Sequence, residues 1–314
     1  MSNQGNCVAI GIFDGVHAGH QELLKSAKKY GKVIVLTFYP HPTVIFAPER
    51  TPMQLLPLDD RIAALKAHGA EEVVVIEFTK DFAAKTADEF IDEILVKQLS
   101  ATHVIVGENF TFGRGAQGTA QYLQTVAKGF ETSIVQLSEN RGNPISSTRI
   151  RGLIFDGEVA RAKELLTRNH YLVGPVVHGE KRGRTIGYPT ANIGLDDLAC
   201  IPADGVYAGW LTVENIRWAA AISIGTNPTF PGVRGRQVEA YALDQVGLEL
   251  YDKIAKVEFT ERLRDTLKFD SLDSLLVQMK VDCDRAAELT GFTRINLDQK
   301  HSISTRFLHS KWRW

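Results

Sequence analysis

The sequence has few cysteines, and its charges almost cancel. Cys7, Cys200 and Cys283 stand far apart and form no CxxC pair, so neither a disulfide framework nor a zinc ribbon is expected. Lysine and arginine number 36 and acidic residues 37, which gives a formal net charge of -1. A chain without an overall basic field is not expected to bind nucleic acid as its main partner. Local basic clusters can still bind small anionic ligands.

The sequence also lacks the features of secretion and of membrane insertion. No apolar run approaches the roughly 20 residues that a membrane helix needs. The polar beginning MSNQGNC has no basic region followed by an apolar stretch, as a secretory signal would. We therefore expect a cytoplasmic protein without a membrane partner, while the oligomeric state stays open.

The chain is long enough for two domains, because its 314 residues exceed a typical single core and two domains of roughly 150 residues are expected. The first half alternates short apolar strands with amphipathic helices, which is typical of a parallel sheet covered on both faces. The predicted strands are 7–12, 32–38, 71–78, 102–107 and 132–137, and the predicted helices are 20–31, 59–69, 86–99 and 119–129. In such sheets ligands bind beyond the carboxyl ends of the strands. The loops at 11–20, 39–43 and 107–118 all follow a strand, so they can line one cleft.

After about residue 170 the pattern changes to strands separated by glycine, proline and asparagine turns. This pattern favours an antiparallel sheet or small barrel, closed by a helix at 270–289. A helical segment at 147–166 is expected to bridge the two halves. The predicted domains are 1–168 and 169–291, followed by a tail at 292–314.

The stretch GIFDGVHAGH, residues 11–20, places two histidines at the start of the first predicted helix. A helix N-terminus attracts phosphate, and Gly11 and Gly15 let the backbone approach a ligand closely. His17 and His20 can then donate hydrogen bonds to a triphosphate. Metal binding is the weakest alternative because no glutamate stands between them, as it does in HExxH. An ordinary turn remains a close second to phosphate binding.

A later segment offers further polar side chains. Ser146, Ser147 and Thr148 place hydroxyls at a helix start beside the cations of Arg149 and Arg151. Such a set makes a suitable cradle for phosphates, although an ordinary N-cap with a solvated basic turn would look the same.

His41, held between two prolines, either reaches the same cleft or is solvated. Asn109 is expected to face a ligand, and its neighbours Phe110 and Phe112 either pack or stack on it. The stretch GRGAQG at 113–118 matches a dinucleotide fingerprint literally. That fingerprint must turn directly from strand to helix, and the strand here ends near residue 107, so an NAD site is not expected.

In the second half, GEKRGRTIGYPTAN at 179–192 combines a glycine-rich loop with cations. Residues two apart in an extended segment share a face, so Thr190 and Asn192 can bind Mg²⁺ and phosphate oxygens together. Composition alone favours a basic surface hairpin. The candidate binding residues of this loop are Gly179, Lys181, Arg184 and Gly187.

Glu239 shares a strand face with Tyr241 and Leu243. If that face points inward, Glu239 is a carboxylate in a protected site. The alternative is an edge-strand glutamate that faces water.

Taken in order, these motifs resemble a known family. GIFDGVHAGH resembles the HxGH signature of the nucleotidylyltransferase superfamily. Followed by TFYPHP, GENFTFG and ISSTRIR, it resembles the FAD synthetase module of bacterial bifunctional riboflavin kinase/FAD synthetases. GxxxGYPTAN resembles the riboflavin kinase signature, with Tyr188 where the family most often has phenylalanine. PADGVYA, SIGTNPTF, VEAYAL and LRDTLKFDSLDSL follow in the family's order.

The resemblance implies a Rossmann-like α/β nucleotidylyltransferase domain and an antiparallel riboflavin kinase barrel with a closing helix. It implies phosphorylation of riboflavin to FMN with ATP and Mg²⁺, then transfer of AMP from ATP to FMN, which gives FAD and pyrophosphate. An adenylyltransferase whose barrel only binds flavin is the main alternative. An NAD-dependent oxidoreductase and a non-catalytic flavin carrier are further ones.

The resemblance also implies residue roles. His17 and His20 become donors to pyrophosphate, Asp14 and Asn109 nucleotide- or flavin-site residues, and Glu239 the general base for the ribityl hydroxyl. Arg264 becomes a contact near flavin or phosphate. The chain departs from the family at Asp252, where glycine is usual, so that turn can differ in shape. The tail matches no known pattern and is expected to be frayed.

Overall fold

The computed structural model describes residues 5–126, 128–136, 138–179, 186–226, 236–294 and 312–313. The chain divides into two units, Met1–Arg149 and Ile150–Trp314. This division lies earlier in the chain than the boundary expected at residue 168, and the boundary stays a prediction. Among the described residues, no helix has both the length and the apolar character needed to traverse a lipid bilayer.

The first unit is built on parallel strands. Its strands are β1 (Asn6–Ile10), β2 (Lys32–Tyr39), β3 (Glu72–Glu77), β4 (Ala101–Gly107), β5 (Thr111–Phe112), β6 (Gly118–Thr119), β7 (Glu131–Val135), β8 (Glu139–Asn140) and β9 (Asn143–Pro144). Five of them form one sheet in the order β3-β2-β1-β4-β7, and every pairing is parallel. The inner strands are buried along almost their whole length, which is why they are continuous apolar runs rather than alternating ones. The predicted parallel α/β domain is confirmed.

The helices of this unit lie between the strands. They are α1 (Ala18–Ala27), α2 (Thr43–Phe46), α3 (Leu58–Ala67), α4 (Lys80–Ala83), α5 (Ala87–Phe90), which continues as a π-helix at Ile91–Gln98, and α6 (Ala120–Thr125). The capping box expected at Thr86 and Glu89 is present, which confirms that helix start. The helix expected at 119–129 ends early, because Val126 adopts an extended backbone.

The strand order places a topological switch beside β1. The chain runs from β1 to β2 on one side, and β4 pairs with β1 on the other. Ligands of open α/β sheets bind at such a point, outside the carboxyl ends of the strands. The loops after β1, β2 and β4 therefore meet at the edge of the sheet where the sequence predicts a cleft.

Two helices begin the second unit where one was expected. Helix α7 (Ser147–Phe155) runs across the division between the units, and α8 (Val159–Leu166) follows it. Gly157 between them has φ +78°, a left-handed conformation that glycine adopts without strain. The segment predicted to be helical at 147–166 therefore consists of two helices.

The second unit is a closed antiparallel barrel, as predicted. Its strands are β10 (His170–Val177), β11 (Ala191–Ile193), β12 (Gly205–Val213), β13 (Ile216–Thr226), β14 (Arg236–Ala242) and β15 (Ile254–Arg264). They close in the order β10-β11-β14-β13-β12-β15. Helix α9 (Leu272–Thr290) covers the outside of β12 and β13, with Leu275, Met279 and Cys283 on its buried side.

A short strand pair lies outside the barrel. Strand β16 (Lys268–Phe269) pairs with β17 (Trp312–Arg313). At these two residues the tail is paired, contrary to the expectation of a frayed end. Residues 295–311 and 314 lie outside the described part of the chain.

Candidate active sites

The loop between β1 and α1 has an unusual backbone. Phe13, Gly15 and Val16 have φ values of +54°, +80° and +41°. For a β-branched residue such as Val16 this conformation is strained. Two hydrogen bonds hold the start of the loop through the carbonyl of Ile12, which accepts from Thr37 Oγ1 at 3.0 Å and from an arginine of α3 at 2.9 Å.

Asp14 anchors the same loop from below. Its buried carboxylate accepts hydrogen bonds from the backbone N–H groups of Leu55 and Leu56 at 3.1–3.3 Å. Its backbone carbonyl accepts from Ser147 Oγ at 2.9 Å. The carboxylate of Asp14 thus serves the loop's shape in this structure, and a contact with a nucleotide stays a prediction. The structure also joins the ISSTRIR segment directly to the histidine loop.

The two histidines lie against each other. His17 is buried at the N-cap of α1, and its ring stacks on that of His20 with centroids 3.5 Å apart and planes 19° apart. Phe13 meets the ring of His20 edge-on at 5.1 Å. Burial lowers the pKa of His20 well below its ordinary value, and His17 and Arg61 lower it further. His20 is therefore a neutral imidazole near pH 7, able to donate one ring N–H to an anion.

The segment after β9 is an N-cap as well as a candidate cradle. Ser146 Oγ accepts from the backbone N–H of Arg149 at 3.2 Å, while Thr148 is exposed. The guanidinium of Arg149 donates to three carbonyls of the β8–β9 hairpin at 3.0–3.3 Å, so this arginine braces its own loop. Arg151 lies farther along α7, in the second unit.

His41 follows β2, next to β1 in the sheet. His41 Nδ1 accepts from the backbone N–H of Thr43 at 3.3 Å and lies 2.7 Å from Thr43 Oγ1. A neutral imidazole that accepts at Nδ1 carries its proton on Nε2. With this hydrogen bond, the neutral imidazole of His41 donates through Nε2.

Asn109 follows β4, on the other side of β1. Its side chain is exposed, and its Oδ1 lies 3.3 Å from where a Cβ on Gly107 would stand. Phe110 and Phe112 stack with centroids 5.5 Å apart, and Phe112 belongs to the buried core. For Phe112 this favours packing over stacking on a ligand. The GRGAQG stretch connects β5 and β6, so it does not turn from a sheet strand into a helix.

Sequence reasoning missed Arg61, the arginine that donates to Ile12. From the sequence it is only one residue of the helix predicted at 59–69. The available signal was its spacing of four from Leu65, which puts both residues on one helix face.

In the second unit, a cavity of about 410 Å³ opens beside β11 and β14. Four of the predicted residues line it, namely Gly179, Gly187, Thr190 and Asn192, and apolar residues such as Leu211, Leu248 and Tyr251 line the rest. The structure therefore brings these four together. Lys181 and Arg184 lie outside the described residues.

Gly179 is needed for the shape of this cavity. A Cβ at that position would lie 2.3–2.8 Å from the amide atoms of Asn192, so any other residue would displace the side chain. Gly187 has φ +86°, which also favours glycine. Both positions therefore favour glycine.

Glu239 lies next to these two side chains. Thr190 Oγ1 donates to Glu239 Oε2 at 3.1 Å, and Asn192 is the cross-strand partner of Glu239 in the β11–β14 pair. Near the cavity, these three side chains offer one hydroxyl, one amide and one carboxylate, and each of these groups has an oxygen acceptor. This donor set fits Mg²⁺, which prefers oxygen ligands.

The face of β14 that carries Glu239 does not point into the barrel. The barrel interior holds Val238, Ala240 and Ala242. Tyr241 and Leu243 instead pack beneath α9. The inward orientation considered from sequence is therefore wrong; the helix covers Tyr241 and Leu243, while Glu239 is half-buried. Tyr188 meets Tyr241 edge-on at 5.1 Å, so the aromatic ring expected at that position packs beside the site.

Arg264 occupies a different environment from the expected one. Its guanidinium binds Asp282 of α9 through two parallel contacts, Nε–Oδ1 at 3.0 Å and Nη2–Oδ2 at 2.6 Å, and Gln278 donates to the same carboxylate at 2.9 Å. Arg264 thus fastens α9 to β15, and a contact with flavin or phosphate stays a prediction. Asp252 has φ +64°, so it keeps a conformation that glycine would adopt.

The comparisons with known proteins match both units. The family described as FAD synthetase matches residues 1–149, and the family described as riboflavin kinase matches residues 166–290. A bifunctional riboflavin kinase/FMN adenylyltransferase of Listeria monocytogenes is 36% identical over 282 residues, 88% of this chain and 89% of the relative. That of Escherichia coli strain K12 is 36% identical over 299 residues, 93% and 95% of the two chains.

A solved structure is similar over nearly the whole chain. It is named as a macrolide-efflux protein from Streptococcus pneumoniae, with a TM-score of 0.82 and 36% identity, and the match covers 91% of this chain and 95% of that one. The similarity shows that the folds are shared. Its name differs from those of the curated relatives, and the two family matches agree with the latter.

Proposed function

Because the chain belongs to the family of bifunctional riboflavin kinase/FMN adenylyltransferases, we propose that its two candidate sites divide the two activities between them. The protein is a transferase that phosphorylates riboflavin to FMN with ATP and adenylylates FMN to FAD with a second ATP. The second unit carries the first reaction and the first unit carries the second. The hydrogen bond between Thr190 and Glu239 beside the cavity is the observation that supports this assignment best, because it places the carboxylate of the expected base next to a residue expected to hold Mg²⁺.

In the kinase reaction, Glu239 accepts the proton of the ribityl 5′-hydroxyl as its oxygen attacks the γ-phosphorus of ATP. The bond between that phosphorus and the β–γ bridging oxygen breaks, and ADP leaves. Thr190 holds one carboxylate oxygen of Glu239, which fixes the direction of the other. Thr190 and Asn192 would hold Mg²⁺, whose charge offsets that of the phosphates.

In adenylyl transfer, a phosphate oxygen of FMN attacks the α-phosphorus of ATP. The bond from that phosphorus to the α–β bridging oxygen breaks, and pyrophosphate leaves. His17 and His20 donate to the departing oxygens. The hydroxyls of Ser146 and Thr148 bind beside them, as does that of Ser147 once it releases the carbonyl of Asp14. Neither reaction needs a covalent intermediate, so both depend on positioning and charge.

The remaining residues keep supporting roles in this proposal. Gly11, Gly15, Gly179 and Gly187 let the backbone approach phosphate, while His41 and Asn109 face the nucleotide or flavin. All three cysteines are buried and form no disulfide, which supports the cytoplasm as the compartment.

Incubation of the full chain with riboflavin, ATP and Mg²⁺, followed by chromatographic separation of the flavins, tests the proposal. Both FMN and FAD are expected. FAD formed only when FMN is supplied would reduce the barrel to a binding module. No flavin product from either substrate would overturn both assignments.

A further inference from the structure

Helix α3 carries an arginine on its buried side. Arg61 is 4% exposed, and Arg61 and Leu65 are the buried residues of this helix. Arg61 therefore occupies a place where an apolar side chain would ordinarily pack. Removing a guanidinium from water is costly unless hydrogen bonds or opposite charge compensate. Burial lowers the pKa of Arg61, and the charge of Asp14 opposes that shift.

The hydrogen bonds of Arg61 compensate only in part. Its Nη1 donates to the carbonyl of Ile12 at 2.9 Å, while its buried Nε has no hydrogen-bond partner. Within the described residues it forms no ion pair. The fold thus keeps a cation beneath the histidine loop without a carboxylate bound to it. An anionic ligand at the loop would add to the opposite charge that Asp14 already supplies.

The loop held by Arg61 is the strained one. The positive φ values of Phe13, Gly15 and Val16 lie between Ile12 and the start of α1. Strained backbone persists only where surrounding contacts enforce it. The position of Ile12 therefore sets where the chain enters α1, and with it the places of His17 and His20.

We propose that Arg61 is a positioning residue for adenylyl transfer. Its guanidinium fixes the Ile12 carbonyl, and so the histidine loop, while its charge lies beneath the polyphosphate site. The inference rests on the function proposed for the first unit. The groups that shift the pKa of His20 are His17, stacked on it, and Arg61 from α3, and both lower that pKa. Arg61 thereby adds to the effect of burial, which is the main cause of the lowered pKa of His20.

Replacement of Arg61 by methionine, Arg61→Met, removes the charge and the hydrogen bond but keeps an unbranched apolar stem. Thr37→Val is the matched control, because Thr37 donates to the same carbonyl at 3.0 Å without a charge. For FMN adenylylation we expect kcat of Arg61→Met to fall about 100-fold, since small displacements of catalytic groups have effects of that order. Its acid limb of kcat/KM moves to higher pH, because a cation that helps to lower the pKa of His20 is removed. Thr37→Val loses less than about tenfold in kcat, and its acid limb stays in place.

Riboflavin phosphorylation by the same protein is the internal control and stays unchanged in both variants. If wild-type protein makes no FAD from FMN, the proposed function itself fails. If it does, and Arg61→Met matches Thr37→Val in both kcat and acid limb, the inference is overturned.

Should Arg61→Met not fold, Arg61→Lys keeps the positive charge and loses the planar fork. It is expected to retain the wild-type acid limb with a lower kcat. A wild-type kcat in Arg61→Lys, or an acid limb that moves although the charge is kept, contradicts the inference.

Discussion

In the first unit the candidate site consists of loops at the edge of a parallel sheet, whereas in the second it consists of side chains on paired barrel strands. The loop site is held by buried polar groups, with Asp14 and Arg61 fixing a strained backbone. The strand site takes its geometry from the register of β11 and β14, which sets Asn192 opposite Glu239. A ladder of backbone hydrogen bonds fixes side-chain positions without dedicated anchors.

This difference has a consequence for substitutions. On the strands, a reacting group can be changed while the ladder keeps its place, so a loss of activity reports chemistry. In the loop, reacting and anchoring groups touch, and a loss reports chemistry and shape together. Because one chain carries both sites, each activity serves as the folding control for the other.

The largest expected effect is that of Glu239→Gln. The amide keeps the size and the hydrogen bond with Thr190 but is no base, so FMN formation falls by about 10²–10⁴-fold. FAD formation from supplied FMN stays at the wild-type rate. Steady-state rates of both reactions, measured by flavin chromatography on one preparation, decide the matter. Equal loss of both activities would contradict the role of a base.

His20→Ala is the corresponding change in the loop site. Loss of one preorganised donor to developing charge costs about 10²–10³-fold, here in FAD formation, while riboflavin phosphorylation is spared. His20→Asn, which keeps a side-chain N–H donor, is expected to recover part of the loss. His68→Ala, at an exposed histidine that ends α3, is the control and keeps both rates. Identical rates in His20→Ala and His68→Ala would argue against a donor role.

The sequence predicted the parts of both sites that depend on local order. The strand and helix alternation, the barrel, the motif loops and the capping box at Thr86 follow from periodicity and short-range hydrogen bonds. Thr190 and Glu239 were singled out on separate strands, and their hydrogen bond follows only from strand pairing over a separation of 49 residues. Register of this kind is not encoded in either segment alone.

The anchors were not predictable for the same physical reason. Arg61, Asp282 and the carboxylate of Asp14 have ordinary neighbours in sequence, and their meaning lies in partners far along the chain. Arg264 is an example of this. Its place in a family motif suggested a contact with flavin or phosphate, whereas in the structure its guanidinium binds Asp282. The break at Gly157 was missed because a glycine inside a helical pattern is often tolerated.

The comparison of anchors can be sharpened with Asp282→Asn, which removes the charge that faces Arg264. The pair is almost fully buried, with 14% and 3% of the side chains exposed. Breaking such a pair destabilises by roughly 3 kcal/mol, because a buried cation loses its partner. All four tryptophans, at 210, 218, 312 and 314, lie in the second unit, so urea unfolding followed by tryptophan fluorescence reports on this unit.

Asp284→Asn is the matched control on the same helix. Asp284 pairs with Arg294 at 2.6 Å, but its side chain is 55% exposed, and exposed pairs contribute about 1 kcal/mol or less. Equal destabilisation by the two variants would show that burial does not set the strength of this anchor.

The smallest effect expected concerns a buried histidine of the barrel, in contrast to those of the loop. His170 donates through Nε2 to the carbonyl of Cys200 at 2.7 Å, and burial lowers its pKa from 6.5 to about 4. The unfolded chain then binds this proton below pH 6.5 while the folded unit does not. The contribution of His170 to stability is full above pH 6.5 and declines as the pH falls toward 4, by about 1 kcal/mol between pH 6.5 and about 5.5.

His170→Gln keeps a donor for Cys200 but does not titrate, so its urea midpoint, followed by tryptophan fluorescence, changes less over this range. His178→Gln, at an exposed histidine, is the control, and a slope equally flat in both variants would assign the pH dependence elsewhere.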